Sequence, residues 1–126
     1  MLKIFYLEDH LIYAKSVKDI IEEVLQDAGI DYKIFYASDY RTAQKLISVY
    51  GEFTHSLIDV MLQNGKNGLE LYEKNKSLLL NPLFITGNID NATIDTLESR
   101  NYKHINKISD DVADTLETFL LEKVIS

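Results

Sequence analysis

The sequence contains no cysteine and no tryptophan, and only one proline and five glycines. Without cysteine there are no disulfides and no thiolate metal sites, a composition that fits a reducing cytoplasm. No apolar run approaches the ~18 residues of a membrane span. The apolar start of the chain, Met1 to Leu7, is too short for a signal segment and is broken by Glu8-Asp9. Positive charge is also scarce: 13 Lys and Arg stand against 20 Asp and Glu, for a formal charge of -7. Such a balance disfavours direct binding to nucleic acid, which needs a basic face to displace counterions, and to an anionic membrane. There is no Pro/Gly/Ser-rich linker, no repeat and no low-complexity tract, so residues 1–126 read as one domain. At 126 residues with 46% hydrophobic side chains, the chain is long and apolar enough to bury a core.

The periodicity reads as strand then helix, five times. Lys3–Leu7 is apolar on both faces, as a strand inside a parallel sheet should be. Val17, Ile20, Ile21, Val24, Leu25 and Ala28 recur at helical spacing, and Gly29 stops that helix. Tyr32–Ala37 is a second strand. Ser38 or Asp39 can cap a second helix that turns Ala43, Leu46, Ile47 and Tyr50 inward and ends at Gly51. Phe53–Asp59 is a third strand, followed by a helix from Gly68 to about Ser77. Leu83–Thr86 is a fourth strand, entered through Pro82. Asp90–Arg100 reads as a helix with few apolar anchors, mainly Ile94 and Leu97. Lys103–Asn106 is a short fifth strand, and Ser109, Asp110 and Asp111 begin a last helix that buries Val112, Leu116, Phe119 and Leu120. Alternating units of this kind predict an α/β fold, a doubly wound parallel sheet with helices on both faces and a ligand site beyond the carboxyl ends of the strands.

Four apolar segments end in polar residues at that edge. Ile4-Phe5-Tyr6-Leu7 runs into Glu8-Asp9, and Ser56-Leu57-Ile58 into Asp59. Leu83-Phe84-Ile85 runs into Thr86-Gly87, and His104-Ile105-Asn106 into Lys107. Gathered at one place, three carboxylates, a hydroxyl and an ammonium would hold a divalent metal and a phosphoryl group. Taken singly, each residue has a plainer reading: Asp59 as a helix cap or solvated turn, Glu8-Asp9 as caps of the first helix, Thr86 and Lys107 as ordinary loop residues. Their convergence favours the joint one.

In this order and at these strand ends, the residues resemble the receiver domain of two-component response regulators, over Lys3 to about Lys123. Asp59-Val60-Met61-Leu62 followed by Gly68-Leu69-Glu70-Leu71 resembles that family's acceptor loop and the start of its third helix. The resemblance implies a flavodoxin-like strand order 2-1-3-4-5 with five helices. It implies that Asp59 accepts a phosphoryl group from a sensor histidine kinase or a phosphotransfer protein, with Lys107 and Thr86 contacting the phosphate. Mg²⁺ would be held by Asp9, Asp59, the Met61 backbone carbonyl and, through water, Glu8. Thr86 and His104 would be the switch pair. An output protein or a second copy would bind the 90–123 face, with no direct nucleic-acid or membrane contact, in the cytoplasm. Such a protein is a switch rather than an enzyme, catalysing only its own phosphorylation and slow dephosphorylation. The residues two beyond the acceptor and two beyond the threonine, Met61 and Asn88, are poor at orienting a hydrolytic water.

The chain departs from the family pattern at four places. Gln63 stands where a proline is usual, the loop to Gly68 is one residue longer, and His104 occupies the usual aromatic position. Ile108 replaces the proline after the lysine, so the Lys107–Ile108 bond is either trans with a reshaped loop or a cis bond costing about 3–4 kcal/mol. These departures keep open a receiver-like interaction module that binds partners without phosphorylation. A haloacid-type phosphatase needs an Asp two beyond the nucleophile, where Met61 stands, and a flavin carrier would find its phosphate repelled by Glu8-Asp9. His10 and His55 read as structural or exposed, and the eight tyrosines as core and interface. The chain is either a stand-alone receiver or one cut from a longer regulator.

Overall fold

The computed structural model describes residues 1–63, 65–87 and 91–125, the last three by backbone alone. Five strands, β1 (Leu2–Leu7), β2 (Tyr32–Ala37), β3 (His55–Asp59), β4 (Pro82–Thr86) and β5 (Lys103–Asn106), form one parallel sheet in the order β2-β1-β3-β4-β5. Between and after them run α1 (Leu11–Asp27), α2 (Tyr40–Tyr50), α3 (Gly68–Lys74), α4 (Asn91–Ser99) and α5 (Val112–Ile125).

The alternation of side chains along β1 decides how the helices are shared out. Ile4 and Tyr6 point to one face and join Ala14, Val17, Ile21 and Leu25 of α1 and Leu116, Phe119 and Leu120 of α5. Phe5 and Leu7 point to the other and join Ala43 and Ile47 of α2, Leu69 and Leu71 of α3 and Leu97 of α4. Two cores thus sandwich the sheet, and β1 and β3 are buried on both sides. Burying one such side chain contributes about 1.5–3 kcal/mol, which is what the continuous apolar runs supply. Among the described residues no helix is long and apolar enough to cross a membrane.

Several boundaries and one side chain differ from the periodicity reading. Tyr50 was expected inward but is 45% exposed; its ring lies 5.0 Å from that of Phe35 at the edge of the sheet. Phe53 makes only an isolated bridge to Leu79, so β3 begins at His55. The third helix stops at Lys74 rather than near Ser77, because Asn75 turns its side-chain amide back to the Leu71 carbonyl at 2.8 Å and caps it. The fourth helix spans Asn91–Ser99, with Leu97 its one buried anchor and Ile94 half-buried; Asp90, with which it was expected to begin, lies outside the described residues. Asp39, not Ser38, caps α2.

Candidate functional site

The register places the polar residues at one edge. Leu7 pairs with Ile58, Asp59 with Ile85 and Thr86 with Asn106, so Glu8, Asp59, Thr86 and Lys107 leave their strands at neighbouring points. Backbone bonds extend the sheet a step further: the Val60 N–H donates to the Ile85 carbonyl and the Lys107 N–H to the Thr86 carbonyl. The crevice between β1 and β3 is where the chain changes sides of the sheet.

Lys107 Nζ lies 2.8 Å from Glu8 Oε2 and 3.0 Å from Asp59 Oδ2, bridging the two. Glu8 is fully buried and Asp59 is 1% exposed. Asp9 is half-buried, and an oxygen from each of Glu8, Asp9 and Asp59 lies within 4.8 Å of the other two. Three carboxyl groups, two of them buried, thus share one ammonium. Burial first, and then the hydrogen bond and charge of Glu8, push the Asp59 carboxyl up to about 7, with Lys107 offsetting only part of the rise. For Lys107, burial works to lower its pKa, but Glu8 and Asp59 outweigh burial and hold it above the usual lysine value.

The donor set fits a divalent cation. It consists of oxygens alone, it has the charge to balance one, and Glu8 Oε1 is buried with no hydrogen-bond partner among the described residues. Thr86 is nearly buried, and its hydroxyl donates to the Ile105 carbonyl at 3.2 Å. Gly87 leaves space beside it, since the nearest neighbour of an added Cβ would be Lys107 Cδ at 3.9 Å. Gly68 has the opposite constraint: a Cβ there would lie 2.0 Å from the Asp59 carbonyl oxygen, so only glycine lets α3 start against the end of β3. The Met61 N–H donates to Asp59 Oδ1 at 3.2 Å, and the Gln63 N–H donates to Asp9 Oδ2. The Lys107–Ile108 peptide is trans, and Ile108 is exposed.

No family model matches the chain. The transcriptional regulatory protein CrdR of Helicobacter pylori is 37% identical to it over 95 residues, which cover 73% of this chain and 41% of that protein. The chain thus spans about two fifths of that regulator's length. The signal receiver domain of a DNA-binding response regulator from Colwellia psychrerythraea superposes over 100% of both chains with a TM-score of 0.80 at 15% identity. A response regulator from Burkholderia pseudomallei, solved with a phosphorylated aspartic acid, a calcium ion and citrate, superposes with a TM-score of 0.72 at 20% identity; the match covers 95% of this chain and 66% of that one.

The chain belongs to the response-regulator receiver domains. The strand order and five helices expected from that resemblance are those observed. Of the residues singled out, the receiver brings Glu8, Asp9, Asp59 and Lys107 together, with Thr86 and Met61 on adjacent segments. His104 sits apart, half-buried on β5, with Nε2 3.9 Å from Glu98 Oε1 of α4. Asn88 lies outside the described residues. His10 is a helix cap: its Nδ1 accepts from the Tyr13 N–H, and its own N–H donates to Glu8 Oε2. His55 is buried, edge-on to the Phe119 ring at 5.2 Å.

Two tyrosines of the receiver's site escaped the sequence reading. Tyr13 places its ring 5.2 Å from Lys107 Nζ, and Tyr36 donates its hydroxyl to the Glu8 carbonyl at 2.6 Å. Tyr13 falls one turn after Asp9 on α1, a spacing that faces the sheet edge; that position was the available signal.

Proposed function

We propose that Asp59 accepts a phosphoryl group from a phosphohistidine on a sensor kinase or phosphotransfer protein. The observation that carries this reading is the bridge from Lys107 to Glu8 and Asp59 beside an acid cluster of metal-ligand dimensions. An Asp59 oxygen attacks phosphorus, the O–P bond forms as the N–P bond breaks, and the imidazole leaves with the electron pair and picks up a proton. Both reactants are negative, so the work of the protein is positioning and charge neutralisation. Lys107 is already anchored by Glu8 and can follow the charge from the Asp59 carboxylate to a phosphate oxygen. Thr86 can exchange the Ile105 carbonyl for another phosphate oxygen, and the space beside Gly87 admits the group.

Mg²⁺ would be held by Asp9, Asp59 and the Met61 carbonyl, with Glu8 through water, and would supply the positive charge that lets two anions meet. Leu11, Ile12, Met61 and Ile108 are exposed apolar residues flanking the site residues in sequence, and form the rim on which a phosphohistidine partner would seat. The domain acts as a switch, not as an enzyme on other molecules, and it works in the cytoplasm where such kinases present their phosphoryl groups. Its phosphorylated state is long-lived because Met61 cannot orient a water.

Signalling runs through α4, β5 and α5. With a single buried anchor, α4 is the least fixed helix and the one able to shift. As Thr86 is drawn toward the phosphoryl group, the space it vacates lets His104 turn inward, altering the groove of about 650 Å³ that His104 lines with Tyr102, Asp111, Thr115 and Phe119. An output protein or a second copy would read that change. Amide spectra with and without beryllofluoride and Mg²⁺ test the switch. Shifts are expected at Thr86, His104 and along α4; no shift at these positions would refute this signalling route.

A further inference from the structure

The side of the molecule around α2 carries a second feature that the phosphoryl chemistry does not use. Arg41, Lys45 and Val49 follow each other at four-residue spacing along α2 and so form one stripe. All three are exposed, Val49 to 69%. Two like charges one turn apart repel, a mild cost to the isolated helix. Neither Arg41 nor Lys45 makes an ion pair among the described residues. A third cation enters from the loop after β3: Lys66 places Nζ 5.5 Å from the centre of the Tyr40 ring. Together these residues line a groove of about 760 Å³, in which Tyr40 and Val49 are the apolar part of the lining. The one acid lining it, Asp39, is already committed: its oxygens accept from the Thr42 N–H at 2.7 Å and the Thr42 hydroxyl at 3.0 Å.

A groove with three cations is conspicuous on a chain with 13 basic and 20 acidic residues. We infer that it is a docking site for an acidic segment of a partner protein, with one apolar side chain of that segment seated between Tyr40 and Val49. Charge complementarity decides the occupant. Carboxylates spaced along an extended or helical segment would meet Arg41, Lys45 and Lys66 in turn, while the apolar lining of Tyr40 and Val49 rewards one hydrophobic anchor. A polynucleotide is disfavoured, since three cations must compete with a net charge of -7. The inference stands whether or not Asp59 is phosphorylated, because it uses none of the acceptor residues.

Titrating the isotope-labelled full chain with a short peptide of glutamates around one central leucine tests it. The expected result is amide shifts at Tyr40–Tyr50 and around Lys66. Replacing the leucine by serine should weaken binding, as should raising salt from about 0.05 to about 0.2 M. The double variant Arg41→Glu, Lys45→Glu, both at exposed positions that do not support the core, should bind about tenfold more weakly or worse. The single variant Lys66→Ala gives an independent check on the loop side. Absence of shifts in these segments, or binding unaltered by the charge reversal, would overturn the inference. So would an oligonucleotide that shifts the same amides at lower concentration. Concentration-dependent shifts without peptide that vanish in the double variant would assign the groove to a second copy and overturn it equally.

Discussion

Removing the charge from Asp59 should make the metal-free protein more stable at neutral pH, although it destroys the proposed acceptor. The carboxyl rises from an ordinary 3.8 to about 7 in the folded chain, first because it is buried, then because of Glu8. Between these two values the folded state holds a proton that the unfolded state has released. The stability this proton contributes is fully present below pH ~3.8 and is lost as pH rises through ~7. At about 1.36 kcal/mol per pKa unit the full effect is about 4 kcal/mol, of which about 3 kcal/mol is lost between pH 5 and pH 8. Asp59→Asn keeps the shape and removes the titration. The stability difference between variant and wild type should therefore grow in the variant's favour by about 3 kcal/mol from pH 5 to pH 8. Urea unfolding in a chelating buffer across that range measures it. Magnesium should reverse the pattern: at ~100 times its dissociation constant it stabilises wild type by about 2.7 kcal/mol and the variant much less. A difference that stays constant with pH, or that grows in favour of wild type, would show that the Asp59 carboxylate is not held in a dry, anionic crevice.

Two further substitutions probe how the site is built. Gly68→Ala forces a Cβ to within 2.0 Å of the Asp59 carbonyl and should cost about 3 kcal/mol or more in urea unfolding; a loss under about 1 kcal/mol would mean that α3 can back away freely. Tyr13→Leu removes the ring from beside Lys107 and should slow acetyl phosphate labelling about fivefold, while Tyr13→Phe stays within about twofold of wild type. Equal rates for the leucine and phenylalanine variants would exclude the ring as a support for Lys107.

Much of this was legible in the chain because burial on both faces of a strand writes an unbroken apolar run. Ile4-Phe5-Tyr6-Leu7 and Ser56-Leu57-Ile58 could be placed as interior parallel strands, and that alone puts Glu8 and Asp59 at a common edge. The helical spacing of Val17, Ile21 and Leu25 likewise located α1, which packs its buried face on the sheet. What could not be read is set by tertiary geometry. Tyr50 fits the apolar spacing of α2, yet its place in the last turn leaves it at the rim of the core, its ring against Phe35 and nearly half exposed. Tyr13 and Tyr36 reach the site through side-chain length from elements whose spacing speaks only of packing. Asn75 ends α3 early by a side-chain bond that no periodicity announces. The groove on α2 was hidden for a different reason: the spacing of Arg41 and Lys45 is that of any solvated helix face, and the approach of Lys66 to Tyr40 is set by the fold.

The most direct test is to incubate the protein with acetyl phosphate and Mg²⁺ and weigh it. Phosphorylation at Asp59 predicts a gain of one phosphoryl group, ~80 Da, absent from Asp59→Asn and abolished by chelating the metal. No gain in wild type, or the same gain in Asp59→Asn, would contradict the proposal that this acid cluster exists to accept a phosphoryl group, and would leave a receiver fold that works by binding alone.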